Sequence, residues 1–204
     1  DEMIGGIGKV KVILISGTSG DGKTVFSQNL LYNISMDVET SCFYCETDLD
    51  VKKGRYTCGK CGWSKDHAKS GFIKMEGREH EAWCRFAQIG SGIDALNIER
   101  GRVPESDMPK LVSVMKTLQN GDVIMNASPS GLTMRQLKVQ MTKLAAMGVE
   151  VILIDQLNNL ELETDKSSYL DADKKGYLIK KWAEELDVGV IAIHQLNKST
   201  NSVQ

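Results

Sequence analysis

The order of apolar segments predicts an α/β fold, a mostly parallel sheet flanked by helices. Short β-branched runs alternate with amphipathic stretches along the chain. The runs are apolar on both faces, as strands of a covered parallel sheet must be. Residues suited to chemistry fall where the runs end, and ligands of such sheets sit beyond the carboxyl ends of the strands. With 204 residues, 41% apolar and 25% charged, the chain can bury one real core and has the composition of a soluble globular domain.

Val10–Ser16 (VKVILIS) is a β-branched run that ends in a glycine-rich turn and reads as a buried strand feeding a loop. In Lys23–Met36, Phe26, Leu30 and Ile34 recur every four residues, which predicts a helix buried through that face. Gly71–Met75 is a second apolar burst, followed by a helix from about Arg78 to Gln88. Residues 105–119 read as a helix with Leu111, Met115 and Leu118 on one side, and Asp122–Asn126 as a short strand. Ser130-Gly131-Leu132-Thr133 introduces a helix carrying Leu137, Met141 and Leu144. Val149–Ile154 is the most strand-like run and ends on Asp155. A long helix over 168–186, with Leu178, Trp182 and Leu186 in register, precedes a final strand at Val188–Ile193 that leads to His194 and Gln195.

Gly17-Thr18-Ser19-Gly20-Asp21-Gly22-Lys23-Thr24 satisfies the phosphate-loop pattern G-x-x-x-x-G-K-[ST], and it stands between a predicted strand and a predicted helix. The glycines let backbone N–H groups turn inward to phosphate oxygens. Lys23 supplies a point charge for the β- and γ-phosphates, and the Thr24 hydroxyl can hold Mg²⁺. The helix dipole adds to the attraction for anions. Asp155, after a fully apolar strand, is placed to hold the same Mg²⁺. Two glutamates that end apolar bursts, Glu76 and Glu46, are candidates to orient or deprotonate water.

The net charge of −2 gives no support to nucleic-acid binding as a whole-molecule property, so such a partner must meet a local basic surface. No apolar run reaches the roughly 20 residues of a membrane helix, and residues 1–10 do not resemble a signal peptide. A cytoplasmic setting follows as the expectation, and there paired cysteines favour metal over disulfide. Cys42-x2-Cys45 and Cys58-x2-Cys61, twelve residues apart, can each clasp one side of a tetrahedral Zn²⁺, with Gly54, Gly59 and Gly62 permitting tight knuckles. His67 and His80 are superfluous to a four-thiolate shell, and Cys84 reads as a small core residue. Lys52, Lys53, Arg55, Lys60 and Lys65 with Tyr44, Tyr56 and Trp63 make the cysteine segment suited to single-stranded nucleic acid; a protein contact or a purely structural role is the other reading.

The sequence resembles the RecA-fold motor domain of DnaB-type hexameric replicative helicases. Gly5-Gly6-Ile7 and SGTSGDGKT resemble that family's entry and first motif; MEGREHEAWCRFAQIGSGID (75–94) resembles the segment in which a glutamate is followed nine residues later by an arginine, here Glu76 and Arg85. IERGRV (98–103) falls at the family's basic-glycine turn, and SGLTMRQLKVQMTKL (130–144) and VILIDQLNNL (151–160) resemble later motifs, with Gln156 where a tyrosine is usual. Gln195-Leu196-Asn197-Lys198 matches a Gln-Leu-Asn-basic motif.

This resemblance implies a RecA-like ATPase core at residues 1–37 and 71–204; the cysteine segment departs from the family and reads as a zinc-knuckle insertion at 38–70. It implies ATP and Mg²⁺, with Glu76 rather than Glu46 as the catalytic carboxylate and Gln195 near the γ-phosphate; Zn²⁺ remains the reading of the cysteine spacing. It also implies a homo-oligomeric ring, a hexamer, translocating on single-stranded DNA in a bacterial or phage-infected cell, with primase or other replication proteins as partners. The arginine finger would come from outside this chain, and the chain reads as a piece of a longer protein because its sheet is left unfinished. A RecA- or RadA-like recombination ATPase, or a nucleotide-gated DNA-binding assembly protein with weak hydrolysis, stands as the alternative.

Overall fold

A computed structural model describes residues 11–35, 42, 44–48, 50–52, 55–66, 68–120, 123–162 and 168–196. Gly5, Gly6, Ile7, Lys53, Gly54, His67, Asp122, Asn197 and Lys198, all singled out above, lie outside them. Five parallel strands form the main sheet in the order β1 (Val12–Gly17), β10 (Gly189–Gln195), β8 (Val151–Asp155), β5 (Ser70–Lys74) and β6 (Val123–Ala127). The three inner strands are the apolar runs that read as buried on both faces, and Ile73, Ile152, Leu153, Ile154, Val190 and Ile191 have no exposed surface. Burying each such side chain contributes about 1.5–3 kcal/mol.

Helices cover both faces. On one side, α1 (Lys23–Ser35), α2 (Glu79–Ser91) and α4 (Met108–Asn120) pack Leu31, Phe86 and Leu118 against Phe72, Leu153 and Ile193. Phe72 and Phe86 meet edge to face with ring centres 6.2 Å apart. On the other side, α5 (Met134–Ala146) and α6 (Ser168–Leu186) pack Leu137, Met141, Leu144, Ile179 and Trp182 against Ile73, Ile152, Ile154 and Val190. The Gly-Leu-Thr start of α5 has a local cause. The Gln136 N–H donates to Thr133 Oγ1 at 3.2 Å while the Thr133 N–H donates to Gln136 Oε1 at 2.8 Å, a reciprocal cap.

Between α1 and β5 the chain makes a separate antiparallel sheet of β2 (Asp50–Lys52), β3 (Arg55–Thr57) and β4 (Ser64–Asp66). A short parallel pair, β7 (Leu132–Thr133) with β9 (Leu160–Glu161), follows the carboxyl end of β8 through a 3-10 turn at Leu157–Asn159. No helix among the described residues is long and apolar enough to cross a membrane.

Two sequence expectations are corrected. Phe26 is 60% exposed, and α1 is buried through Ser27, Gln28, Leu31, Tyr32 and Ser35, with Leu30 and Ile34 half-buried beside that row. The polar Ser27 and Gln28 on the inward face disguised it. Strand β1 is not buried on both faces: it pairs only with β10 among the described residues, and Leu14 is 56% exposed. IERGRV begins at the end of a short helix, α3 (Ala95–Glu99), capped by Asp94 accepting from the N–H groups of Leu96 and Asn97 at 3.0 and 3.2 Å, and the chain then turns at Arg100 and Gly101, with Gly101 at φ 65°.

Candidate functional site

Because all five strands run the same way, their carboxyl ends meet at one edge. In the ladder Gly17 is opposite Gln195, and Lys74 is opposite both Asp155 and Ala127. A cavity of about 360 Å³ opens at this edge, lined by Ser19, Gly20, Gly22, Lys23 and Thr24 from the loop after β1, and by Glu76, Asp155 and Gln195 from three other strand ends. Four candidate regions far apart in sequence therefore share one cavity.

The loop is held by its own side chains. Thr18 donates its N–H to Asp21 Oδ2 at 2.6 Å, and Lys23 Nζ donates to the Thr18 carbonyl at 2.5 Å. Gly20 and Gly22 have φ of 92° and 77°, values that only glycine adopts without strain. Gly17, Thr18 and Asp21 brace the loop without lining the cavity, whereas Lys23 and Thr24 face it at the first turn of α1. Loop backbone and Lys23 therefore line the same space, the donor types a phosphate needs.

Asp155 is buried and accepts a hydrogen bond from the Thr24 side chain. Desolvation raises its carboxyl above the usual aspartate range; the Thr24 hydrogen bond and the charge of Lys74 oppose that shift. A buried carboxylate next to a hydroxyl is a fitting pair of ligands for a hard divalent cation, which would offset the desolvation. Glu76 is exposed at the mouth of the cavity, one residue beyond Met75, whose N–H donates to the Asp155 carbonyl at 2.6 Å. Glu46 lies elsewhere, in the cysteine segment, and does not line this cavity.

Gln195 is clamped by a residue the sequence did not single out. Asn158 Oδ1 accepts from the Gln195 N–H at 2.8 Å, and Asn158 Nδ2 donates to the Gln195 carbonyl at 3.0 Å. The next N–H, of Leu196, donates to the Gly17 carbonyl at 2.9 Å, which ties Gln195 to the start of the phosphate loop. Lys74, Glu81 and Arg85 also line the cavity. Arg85 was marked only by its spacing from Glu76. Lys74 has a legible signal in the sequence: it is the one charge in the burst Gly71–Met75, two residues before Glu76 and so on the same side of an extended chain. Burial lowers the Lys74 ammonium below the usual lysine range, against the opposing charge of Asp155.

The four cysteines form a second constellation. Their sulfurs all lie within 4.8 Å of one another, with Cys42–Cys61, Cys42–Cys45 and Cys45–Cys58 at 3.7, 3.5 and 3.4 Å. A disulfide would need about 2.05 Å. Four thiolates about 2.3 Å from a tetrahedral zinc would be roughly 3.8 Å apart, close to what is seen. The two pairs are built alike. The Cys42 N–H donates to the Thr47 carbonyl and the Glu46 N–H to the Cys42 carbonyl, both at 2.8 Å. The Cys58 N–H donates to the Trp63 carbonyl at 2.7 Å and the Gly62 N–H to the Cys58 carbonyl at 2.9 Å.

The residue after each pair is left-handed, Glu46 at φ 53° and Gly62 at φ 74°. The expected role of the glycines is corrected accordingly: Gly62 serves one knuckle, Gly59 has no such φ, and the other knuckle uses Glu46. The Thr47 hydroxyl, helped by backbone N–H groups of Cys61 and Lys60, draws the Cys58 thiol down to about 5, while hydrogen bonding with Cys58 pushes Cys45 up to about 12. His80 is outside this group and contacts Glu99 at 3.0 Å, and Cys84 is half-buried.

Sheet and cavity together define a RecA-like α/β domain of the phosphate-loop class. The chain belongs to the DnaB-like helicase C-terminal domain family, whose model matches residues 1–204. It is 22% identical over 207 residues to the replicative DNA helicase DnaC of Bacillus subtilis (strain 168) and 21% identical over 207 residues to the replicative DNA helicase DnaB of Geobacillus stearothermophilus. Each alignment covers 100% of this chain, which spans 39% of the length of these curated relatives. Among solved structures, a DnaB-like replicative helicase described with its interactions with primase superposes with a TM-score of 0.74 at 20% identity, covering 98% of this chain and 42% of that one. A second solved structure, described as an ATPase domain, also gives 0.74 at 20% identity, covering 97% of this chain and 61% of that one.

Proposed function

We propose that this chain is the ATP-hydrolysing motor of a replicative DNA helicase, working as a homo-oligomeric ring, a hexamer, on single-stranded DNA in the cytoplasm of a bacterial or phage-infected cell. The observation that carries the reading is the single cavity lined by Lys23, Thr24, Glu76, Asp155 and Gln195. In this reading the loop N–H groups and Lys23 bind the phosphates, and Thr24 and Asp155 hold Mg²⁺. The metal, when bound, neutralises charge on the phosphate oxygens. Glu76 orients and deprotonates the attacking water, and its exposed position at the cavity mouth suits a group that must meet solvent. Gln195 contacts the terminal phosphate; its clamp to Asn158 and the Leu196–Gly17 link give it a route to neighbouring strand ends.

The arginine that completes the charge balance comes from a neighbouring subunit. Residues 1–37 and 71–204 form the ATPase core, and 38–70 form an insertion whose four cysteines hold a structural zinc. Primase or another replication protein is the proposed partner, by analogy with the solved DnaB-like helicase described with primase. The test is duplex unwinding by the full chain in the presence of ATP and Mg²⁺. Unwinding that Lys23→Ala abolishes supports the reading, and ATP turnover without unwinding or DNA stimulation refutes the motor assignment.

A further inference from the structure

Lys74 has no task in the reaction as described, yet its position demands an explanation. Its side chain is 6% exposed at the carboxyl end of the inner strand β5. Lysine is almost never buried to that extent without an anionic partner, because the ammonium loses its hydration. Among the described residues Lys74 Nζ makes no ion pair and no hydrogen bond. Of the nearby carboxylates, Glu81 Oε2 accepts from the Arg78 N–H at 3.3 Å, Asp155 accepts from Thr24, and Glu76 is exposed to solvent.

The ammonium instead lies beside the cavity. It lies over Gly77, where a Cβ would come 3.2 Å from Nζ, and it lines the same cavity as Lys23, Glu76 and Asp155. It stands on the wall of that cavity formed by the end of β5, whereas the phosphate loop and Lys23, which serves the β- and γ-phosphates, follow β1, so Lys74 would add a second cation from another strand end.

We infer that Lys74 is a second phosphate-binding cation supplied by the chain itself, with its ammonium contacting the terminal phosphate of a bound nucleoside triphosphate. The inference rests on the nucleotide reading of the cavity and adds a residue to it. It predicts discrimination: the terminal phosphate is present in ATP and absent in ADP, so Lys74 favours the triphosphate state selectively. The competing role is long-range charge balance for Asp155, Glu76 and Glu81, with no contact to ligand.

The experiment is calorimetric titration of the full chain with a non-hydrolysable ATP analogue and with ADP, both with Mg²⁺, for wild type, Lys74→Met, Lys74→Arg and Lys23→Ala. Lys74→Met conserves volume and removes the buried charge, so the thermal midpoint of the nucleotide-free protein should hold or rise. Analogue affinity should fall by roughly tenfold or more, as for loss of a hydrogen bond to a charged group. ADP affinity should change by no more than about twofold, and Lys74→Arg should recover most of the loss. Equal losses for both nucleotides, or none, overturn the inference. So does a lower midpoint of the free Lys74→Met protein that Lys74→Arg restores, since that marks a structural charge. If Lys23→Ala still binds both nucleotides as wild type does, the phosphate-loop reading itself falls and takes this inference with it.

Discussion

If the four cysteines hold zinc as proposed, chelation should melt the cysteine segment and leave the main sheet intact. Its sheet consists of three strands of three residues each, and among the segment's residues whose burial is described Cys42 and Cys58 are the buried apolar groups. Side chains of that size contribute about 1 kcal/mol each, and a segment of about thirty residues is too short to fold on apolar packing alone. A structural zinc on four thiolates contributes about 10–16 kcal/mol of apparent binding energy, which becomes folding energy for the segment. Even if ordering the chain consumes half of it, about 5 kcal/mol or more remains, slowing amide exchange some 10³–10⁴-fold.

The amides to follow are those of Cys42, Glu46, Cys58 and Gly62, whose hydrogen bonds form the two knuckles. Hydrogen exchange with mass-spectrometric detection, before and after chelation, should show these four losing protection while Ser70–Lys74 in β5 stay protected. One zinc per chain should leave with the chelator. If knuckle protection survives chelation, or no metal accompanies the purified chain, the zinc account is wrong.

Other consequences follow from single positions. Gly131 has φ +80°, and a Cβ there would meet the Asn159 carbonyl oxygen at 2.6 Å, so Gly131→Ala should destabilise by about 1–3 kcal/mol in denaturant unfolding. Leu144→Ala empties a fully buried site under the sheet and should cost about 2–5 kcal/mol by the same measurement. Asn158→Ala removes both hydrogen bonds that hold Gln195, and should lower ATP turnover more than nucleotide affinity in steady-state assays. Asp155 binds its proton more tightly folded than unfolded, so the unfolded chain carries fewer protons in the window above the ordinary aspartate range. Stability of the nucleotide- and metal-free protein should therefore fall as pH rises through that window, and thermal melts of Asp155→Asn should lack that part of the decline.

Elements whose burial follows sequence period were legible residue by residue. The run that ends on Asp155 is β8, the stretch 168–186 is α6, and Leu137, Met141 and Leu144 are the buried face of α5. The phosphate loop and the two cysteine pairs were legible because their chemistry needs residues at fixed local spacing. What failed to show had no local period. The buried face of α1 includes Ser27 and Gln28, so an apolar count drew the wrong face through Phe26. Helix α3 is five residues long and depends on an aspartate cap. Asn158 matters only because the turn after β8 returns beside the end of β10, a juxtaposition made by the sheet. Glu76 and Glu46 could not be separated by the local pattern of their strands; the cavity contains one and excludes the other.

The most direct test of the motor reading is the ATP hydrolysis rate of the full chain with and without single-stranded DNA, for wild type and Glu76→Gln. The account predicts turnover that DNA stimulates in the wild type, and a Glu76→Gln variant that still binds ATP but hydrolyses it about 10²-fold or more slowly with or without DNA. A slow rate indifferent both to DNA and to Glu76 would contradict it.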